Sequence, residues 1–333
     1  MPIGTPGEQG GVYFCPRSSL MLRILTYHRV TEPGSDPGNP SVLSATPAGF
    51  ARQVAYLATH YAVISLQDVL HAVSRRRRLP RRAVLITFDD AYRDFAEVAW
   101  PILRGHRLPV TLFVPTAFPG APEMFWWDRL YAAIGYTARV SPVDTPLGRL
   151  GLETAEERVA TIRRIQQYVK TLPHAEAMTL VDRLCQQCGG PRVDAPKALS
   201  WDELRELASQ GVTLASHTRT HPLLTRVPLD QVRAEIRDSL QDLRREIGSV
   251  LPIAAYPGGA YDRAVLQVLQ EEGIKLAFTT EDGVNDPLAA DPLRLRRTGI
   301  TLRTSQAVFR LRLQPWIAQL DRWRHRRSAM RTV

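Results

Sequence analysis

Six short apolar segments recur along this 333-residue chain, and their spacing is its tightest constraint. They are LRILTY (22–27), AVLITF (83–88), PVTLFV (109–114), VTLAS (212–216), IAAYP (253–257) and KLAFT (275–279). Each is too short for a buried helix, and the set is rich in β-branched and aromatic residues, so each reads as a buried strand. Amphipathic stretches lie between them, among them PAGFARQVAYLATH, LDQVRAEIRDSLQDLRREIG and DRAVLQVLQEEG. The second begins after Pro228 and stops at Gly248, good start and stop signals for a helix. Strands alternating with helices imply parallel βαβ units, in an open sheet or a barrel. Residues 118–200 break the rhythm. They offer no convincing strand but two helical patterns, ETAEERVATIRRIQQYVKTL and AEAMTLVDRLCQQC, and read as a helical insertion between two strands.

Composition narrows the class. With 44% hydrophobic and 23% charged residues the chain is globular, not fibrous or disordered. Cys15, Cys185 and Cys188 are too few for a disulfide framework, and Cys185-Gln-Gln-Cys188 lacks the second pair that a tetrahedral zinc site needs. No apolar run approaches the ~20 residues of a membrane-spanning helix. Residues 1–20 are Gly- and Pro-rich and lack the basic start and apolar core of a signal peptide, so a flexible tail and a cytoplasmic location are expected. The net charge of +10 is almost all arginine, the only lysines being Lys170, Lys197 and Lys275. Basic residues cluster in RRRRLPRR (75–82) and in RWRHRRSAMR (322–331), the latter within a basic helical tail over 301–333. Solvated faces are the plain reading, and peripheral contact with an anionic membrane surface is the alternative. No nucleic-acid-binding motif accompanies the charge, so no nucleic-acid partner is expected.

In parallel architectures functional groups gather where strands end. His28 follows the first apolar segment, and Asp89 and Asp90 follow AVLITF. His217 and His221 follow VTLAS, and Gly258-Gly259 follows IAAYP. One Asp of the pair would serve as cap of the next helix, but capping does not explain two adjacent acids. The His217-xxx-His221 spacing lets two imidazoles face one site on a helical turn. With an Asp from the other strand it forms a two-His, one-carboxylate metal set with open positions. The second Asp is then free to take a proton from water acidified by the cation. A Gly-Gly turn allows an N–H close to a developing oxyanion, and His28 is a suitable acid for an amine leaving group. Together these parts suit metal-assisted hydrolysis of an amide.

LTYHRV, TFDD, SHTRTHP and YPGGAYD, in this order, resemble the motifs of the polysaccharide deacetylases, the NodB-homology domain of carbohydrate esterase family four. WDELRELASQGVTLASHTRTHPLL (201–224) and LAFTTEDGVND (276–286) are similar to that family as well. The resemblance covers residues 21–300. It implies a distorted (β/α)7 barrel and a divalent metal, most often Zn2+. The reaction implied is hydrolysis of an acetyl group from an amino-sugar polymer or glycoconjugate, with a small or lipid-linked sugar as the alternative. Residue by residue, it implies Asp89 as the catalytic base and Asp90, His217 and His221 as metal ligands, with the Gly258 N–H as oxyanion donor. Two departures stand out. The late general-acid histidine pattern is absent, His325 being the only late histidine, and His28 resembles the early acid of a subgroup acting on β-1,6-linked glucosamine polymers. The motif arginine that orients the base is also missing, because Ala255 stands in its place. Arg297 is the candidate replacement, with Arg294 and Arg296 of similar reach. In FWWDRL, Trp127 and Asp128 are candidate sugar contacts, as is Tyr256, with packing against the barrel as the blander account of the aromatics. His60, His71, His106 and His174 read as ordinary surface residues. A silent carbohydrate-binding barrel is the rival reading, against which the intact Asp and His set argues.

Overall fold

The computed structural model of the chain describes residues 21–35, 38–122, 125–190 and 197–314. Its strands are β1 (Arg23–Tyr27), β2 (Arg29–Val30), β3 (Leu43–Ala45), β4 (Ala62–Val63), β5 (Ala83–Phe88), β6 (Thr111–Val114), β7 (Val143–Thr145), β8 (Gly148–Leu150), β9 (Thr213–Ser216), β10 (Ile253–Ala255), β11 (Leu276–Phe278) and β12 (Thr298–Gly299). The main sheet runs β11-β10-β9-β6-β5-β1-β12, with β4 beside β5, and every pairing in it is parallel. The segment leading into β12 serves both edges. Thr279 N–H donates to Leu295 O on one side, and Ile300 N–H donates to Thr26 O on the other. The sheet thus curls into the distorted barrel expected from the sequence.

Both faces of the strands are buried, which is why they read as continuous apolar runs. On β5, Val84, Ile86 and Phe88 pack with Phe50, Val54 and Leu57 of helix Pro47–His60. Ala83 and Leu85, of opposite parity, pack with Ile24, Phe113, Ala255 and Phe278. This period of two carries the inward parity on through Thr87 to Asp89.

One expectation needs correction. The insertion is not purely helical, because β7 and β8 form an antiparallel hairpin, and Ala198 bridges Tyr92. These strands are only three residues long and partly exposed, so they lack an apolar run to betray them. The hairpin packs with helices Ala155–Val169 and Ala177, Leu180, Val181 and Leu184 of helix His174–Gln187 in a core separate from the barrel's. Within the segment expected as a basic helical tail, residues 301–314 pack against the barrel. Helix Gln306–Arg312 inserts Phe309, 1% exposed, into the core beside Tyr61, whose hydroxyl donates to Leu313 O. Tail residues 1–20 with Cys15, and 315–333 with His325, lie outside the described residues. Arg75–Arg78, Arg81 and Arg82 are exposed, and Cys185 and Cys188 are free thiols buried in the insertion core. No helix of the described residues is long and apolar enough to cross a membrane.

Leu184 has no exposed surface in the insertion core. Leu184→Ala should therefore lower the unfolding free energy by about 2–5 kcal/mol in urea melts; a change near zero would mean that this core does not contribute to the cooperative fold.

Candidate metal centre and active-site cleft

Five strands of the main sheet send residues from their C-terminal ends to one cleft. His28 follows β1, Asp89 and Asp90 follow β5, His217 and His221 follow β9, Gly258 follows β10 and Thr280 follows β11. Asp90, His217 and His221 each offer one ligand atom, all within 4.8 Å of one another. Asp90 Oδ1 stands 3.6 Å from His217 Nε2 and 3.3 Å from His221 Nε2. His217 Nδ1 lies 2.9 Å from Ala255 O, so the proton sits there and the Nε2 lone pair faces the site. Burial pushes the His217 pKa down to about 4, despite the Asp89 charge, and keeps the imidazole in its ligating neutral form. Asp90 Oδ1 is buried with no hydrogen-bond partner. A buried anionic oxygen without a donor is costly unless a cation takes the donor's place. The donor set therefore fits a divalent ion.

The two histidines meet through a loop, not the helical turn their spacing suggested; the ring centroids are 4.8 Å apart. Asp90 (φ 72°), Ala91 (φ 52°), Thr218 (φ 64°) and His221 (φ 60°) all take left-handed backbone. Such conformations cost non-glycine residues energy and persist only where surroundings impose them. For the histidine loop, helix Leu229–Ile247 supplies the constraint. Glu235 Oε2 accepts from the N–H groups of Arg219 and Thr220 at 2.8 Å each. Ser239 pairs with Ser216 at 2.6 Å, and Asp242 accepts from Thr116 at 2.9 Å. These three polar residues lie on the helix's buried face among Val232, Ile236, Leu240 and Leu243. Sequence reasoning passed over them, although polar residues interrupting an apolar stripe were a visible signal.

Asp89, 2% exposed, meets Arg297 in a bidentate pair: Nη1 to Oδ1 and Nη2 to Oδ2, both 2.8 Å. Arg297 Nε donates to Thr279 O at 2.8 Å, which fixes the fork. Burial alone would raise the Asp89 pKa, but the Arg297 charge and hydrogen bonds, with His217 nearby, hold it well below the usual carboxylate range. Of the other two arginines, Arg294 donates to the Tyr261 hydroxyl and Arg296 stands 3.4 Å from Glu281. His28 is half-buried at the cleft, its backbone N–H donating to Ser44 Oγ. At the glycine turn, a Cβ on Gly259 (φ 71°) would fall 2.6 Å from the Thr280 nitrogen, so only glycine fits there.

Three residues expected at the substrate fare differently. Trp127 borders the cleft, stacked on Phe125 at 4.6 Å and edge-on to His221 at 4.9 Å. Tyr256 and Asp128 do not border it. Tyr256, 1% exposed, spends its hydroxyl on Leu293 O. Asp128, fully buried, accepts from the Tyr92 hydroxyl and Asn39 N–H, and burial pushes its pKa up to about 7. Both side chains turn into the interior because polar partners wait there. His174, read as an ordinary surface residue, borders the cleft together with Gln166 and Lys170 from the insertion. Nothing local in the sequence marks these three.

Residues 149–277 match the family model of the polysaccharide deacetylases. The match includes His217, His221 and Gly258, and it agrees with the family whose motifs the sequence resembles. The chain is 20% identical to Bacillus subtilis YxkH over 263 residues, 79% of this chain and 65% of that protein. It is 30% identical over 88 residues to the poly-β-1,6-N-acetyl-D-glucosamine N-deacetylase of Staphylococcus aureus, which is 26% of this chain and 30% of that protein. The chain thus spans less than two thirds of the length of both curated relatives. In fold it is similar to the Streptococcus pyogenes deacetylase PplD, with a TM-score of 0.59 at 20% identity over 89% of this chain and 100% of that one. It is also similar to IcaB from Ammonifex degensii, with a TM-score of 0.57 at 18% identity over 88% of this chain and 97% of that one.

Arg297→Met should cost about 3–5 kcal/mol at neutral pH, because the Asp89 carboxylate stays buried without its partner. Asp89 binds a proton less readily folded than unfolded, so its contribution to stability is full above about pH 4 and lost as pH falls below it. The deficit of the variant should therefore shrink on acidification, as compared in melts of metal-free protein at neutral and acid pH. Glu235→Ala frees the loop that carries the two histidines. It should weaken metal binding by about 10–100-fold without removing a ligand, which competition with a chromophoric chelator would measure.

Proposed function

We propose that the chain is a metal-dependent deacetylase that hydrolyses the N-acetyl group of an amino-sugar polysaccharide or glycoconjugate. The observation that carries this reading is the joining, in one cleft, of the Asp90, His217 and His221 set to a carboxylate held ionised by Arg297. The family match over residues 149–277 and the name of the staphylococcal relative support the amino-sugar substrate. Zinc is the cation best suited to two imidazoles and one carboxylate. A divalent cation bound there supplies Lewis acidity, acidifying water and polarising the acetamido carbonyl.

The chain's own residues do the rest. Asp89 takes the proton from the attacking water, and the Arg297 fork keeps that carboxylate ionised and aimed. The Gly258 N–H donates to the carbonyl oxygen as negative charge develops on it. His28 gives a proton to the departing amine, which would otherwise be a very poor leaving group. Trp127 offers a sugar-stacking edge at the cleft. The early acid His28 is also the basis for placing the chain near the subgroup acting on β-1,6-linked polymers. A cytoplasmic location with peripheral contact to an anionic surface through the exposed Arg75–Arg78, Arg81 and Arg82 belongs to the same reading.

Acetate release from N-acetylated oligosaccharides should vanish with chelator and return with zinc or cobalt. Asp89→Asn and His28→Ala should each retain the metal and lower amide turnover by about 10²–10⁴-fold. His28→Ala should lose much less rate on an activated ester, whose leaving group needs no proton. Full activity of metal-free protein would end this reading, and near-normal amide turnover by His28→Ala would move the acid elsewhere.

A further inference from the structure

The cleft carries positive charge that deacetylation does not use. At its inner end the acids are matched, Asp89 by Arg297 and Asp90 by its place in the metal set. Lys170 and Arg226 also border the cleft, and among the described residues the only carboxylates that do so are Asp89 and Asp90. Some surface arginines elsewhere find acids, as Arg205 does in Asp202 and Glu246, and Arg233 in Glu271 and Glu272. Among the described residues, Lys170 and Arg226 form no side-chain ion pair or hydrogen bond.

A third donor stands beside them. Gln166 lies one turn before Lys170, on helix Ala155–Val169, so the two share a helix face. Its Nε2 is buried with no hydrogen-bond partner, and the residue borders the cleft. The positive lining runs on from there. A second cavity shares Ser41 and Gln166 with the cleft and is bordered by Arg163 and Arg303, again with no carboxylate among the described residues. An amide, an ammonium and a guanidinium without protein acceptors are the donor set that oxyanions take. A neutral sugar would leave both charges unmatched.

We propose that Gln166, Lys170 and Arg226 form an oxyanion subsite, and that the substrate is an acetylated amino sugar bearing a phosphate or carboxylate group beside the reacting unit. The inference rests on the deacetylase reading for the position of the acetyl group, but the subsite itself is testable by binding alone. Zinc-loaded protein is titrated calorimetrically with N-acetylglucosamine, N-acetylglucosamine 1-phosphate and N-acetylmuramic acid. At least one anionic sugar should bind about tenfold more tightly than the neutral one, and which one does so tells phosphate from carboxylate. The gap should shrink steeply with added salt. In Lys170→Gln/Arg226→Gln, checked for unchanged zinc content and melting temperature, it should fall to within about twofold. If the double variant does not fold, the salt titration of the wild type and the single Lys170→Gln variant carry the test. Equal affinities for all three sugars overturn the proposal. So does a preference that survives the substitutions, since the anion would then sit on the zinc. Anion-selective binding without acetate release would leave the subsite standing and sink the deacetylase reading instead.

Discussion

The buried pair of Asp89 and Arg297 is the contact on which the site's geometry depends. It ties the end of β5 to the segment that enters β12, residues separated by 208 positions in sequence. The same segment bonds β11 through Leu295 and β1 through Ile300, so one stretch of chain both closes the barrel and fixes the carboxylate. Bidentate geometry, with Nε held by Thr279 O, leaves the carboxylate little freedom to rotate. A buried ion pair of this kind is seldom the cheapest way to stabilise a core. Its presence at the inner wall of a cleft is better explained by the need for an ionised, oriented acid than by stability.

The metal set rests on a second constraint. Asp90 and His221 sit in left-handed backbone, which neither the strand nor the following helix would choose. The histidine loop is held in this state from below, by a carboxylate that collects two backbone N–H groups and by a serine pair at the strand end. The polar stripe of helix Leu229–Ile247 thus converts helix packing into ligand placement. Locking the supports, and not only the ligands, keeps the three donor atoms together in spite of the strain.

The insertion has its own core and would be easy to regard as an appendage. Its helices instead wall the cleft, bringing Gln166, Lys170 and His174 to residues that come from the ends of the barrel strands. In the proposed reading the barrel end supplies chemistry, whereas the wall decides what surrounds the reacting group. Both border one cleft, along which Lys170 and Arg226 have no side-chain partner among the described residues.

Much of this was legible in the sequence. Buried parallel strands must be apolar on both faces, so they appear as short continuous runs, and polar residues at their ends declare where the sheet meets solvent. Hence His28, Asp89, Asp90, His217, His221 and Gly258 could be named, and all six border one cleft. What the sequence could not decide was pairing at a distance. Arg294, Arg296 and Arg297 differ little in local context, and only the curl of the barrel determines which one reaches Asp89. The inward turn of Tyr256 and Asp128, the strained loop and the insertion's wall share that dependence. Period and composition fix which face a residue takes on its own element, because those are local properties of the backbone. Which residues meet across elements is set by closure and packing of the whole chain, and there tertiary structure alone decided.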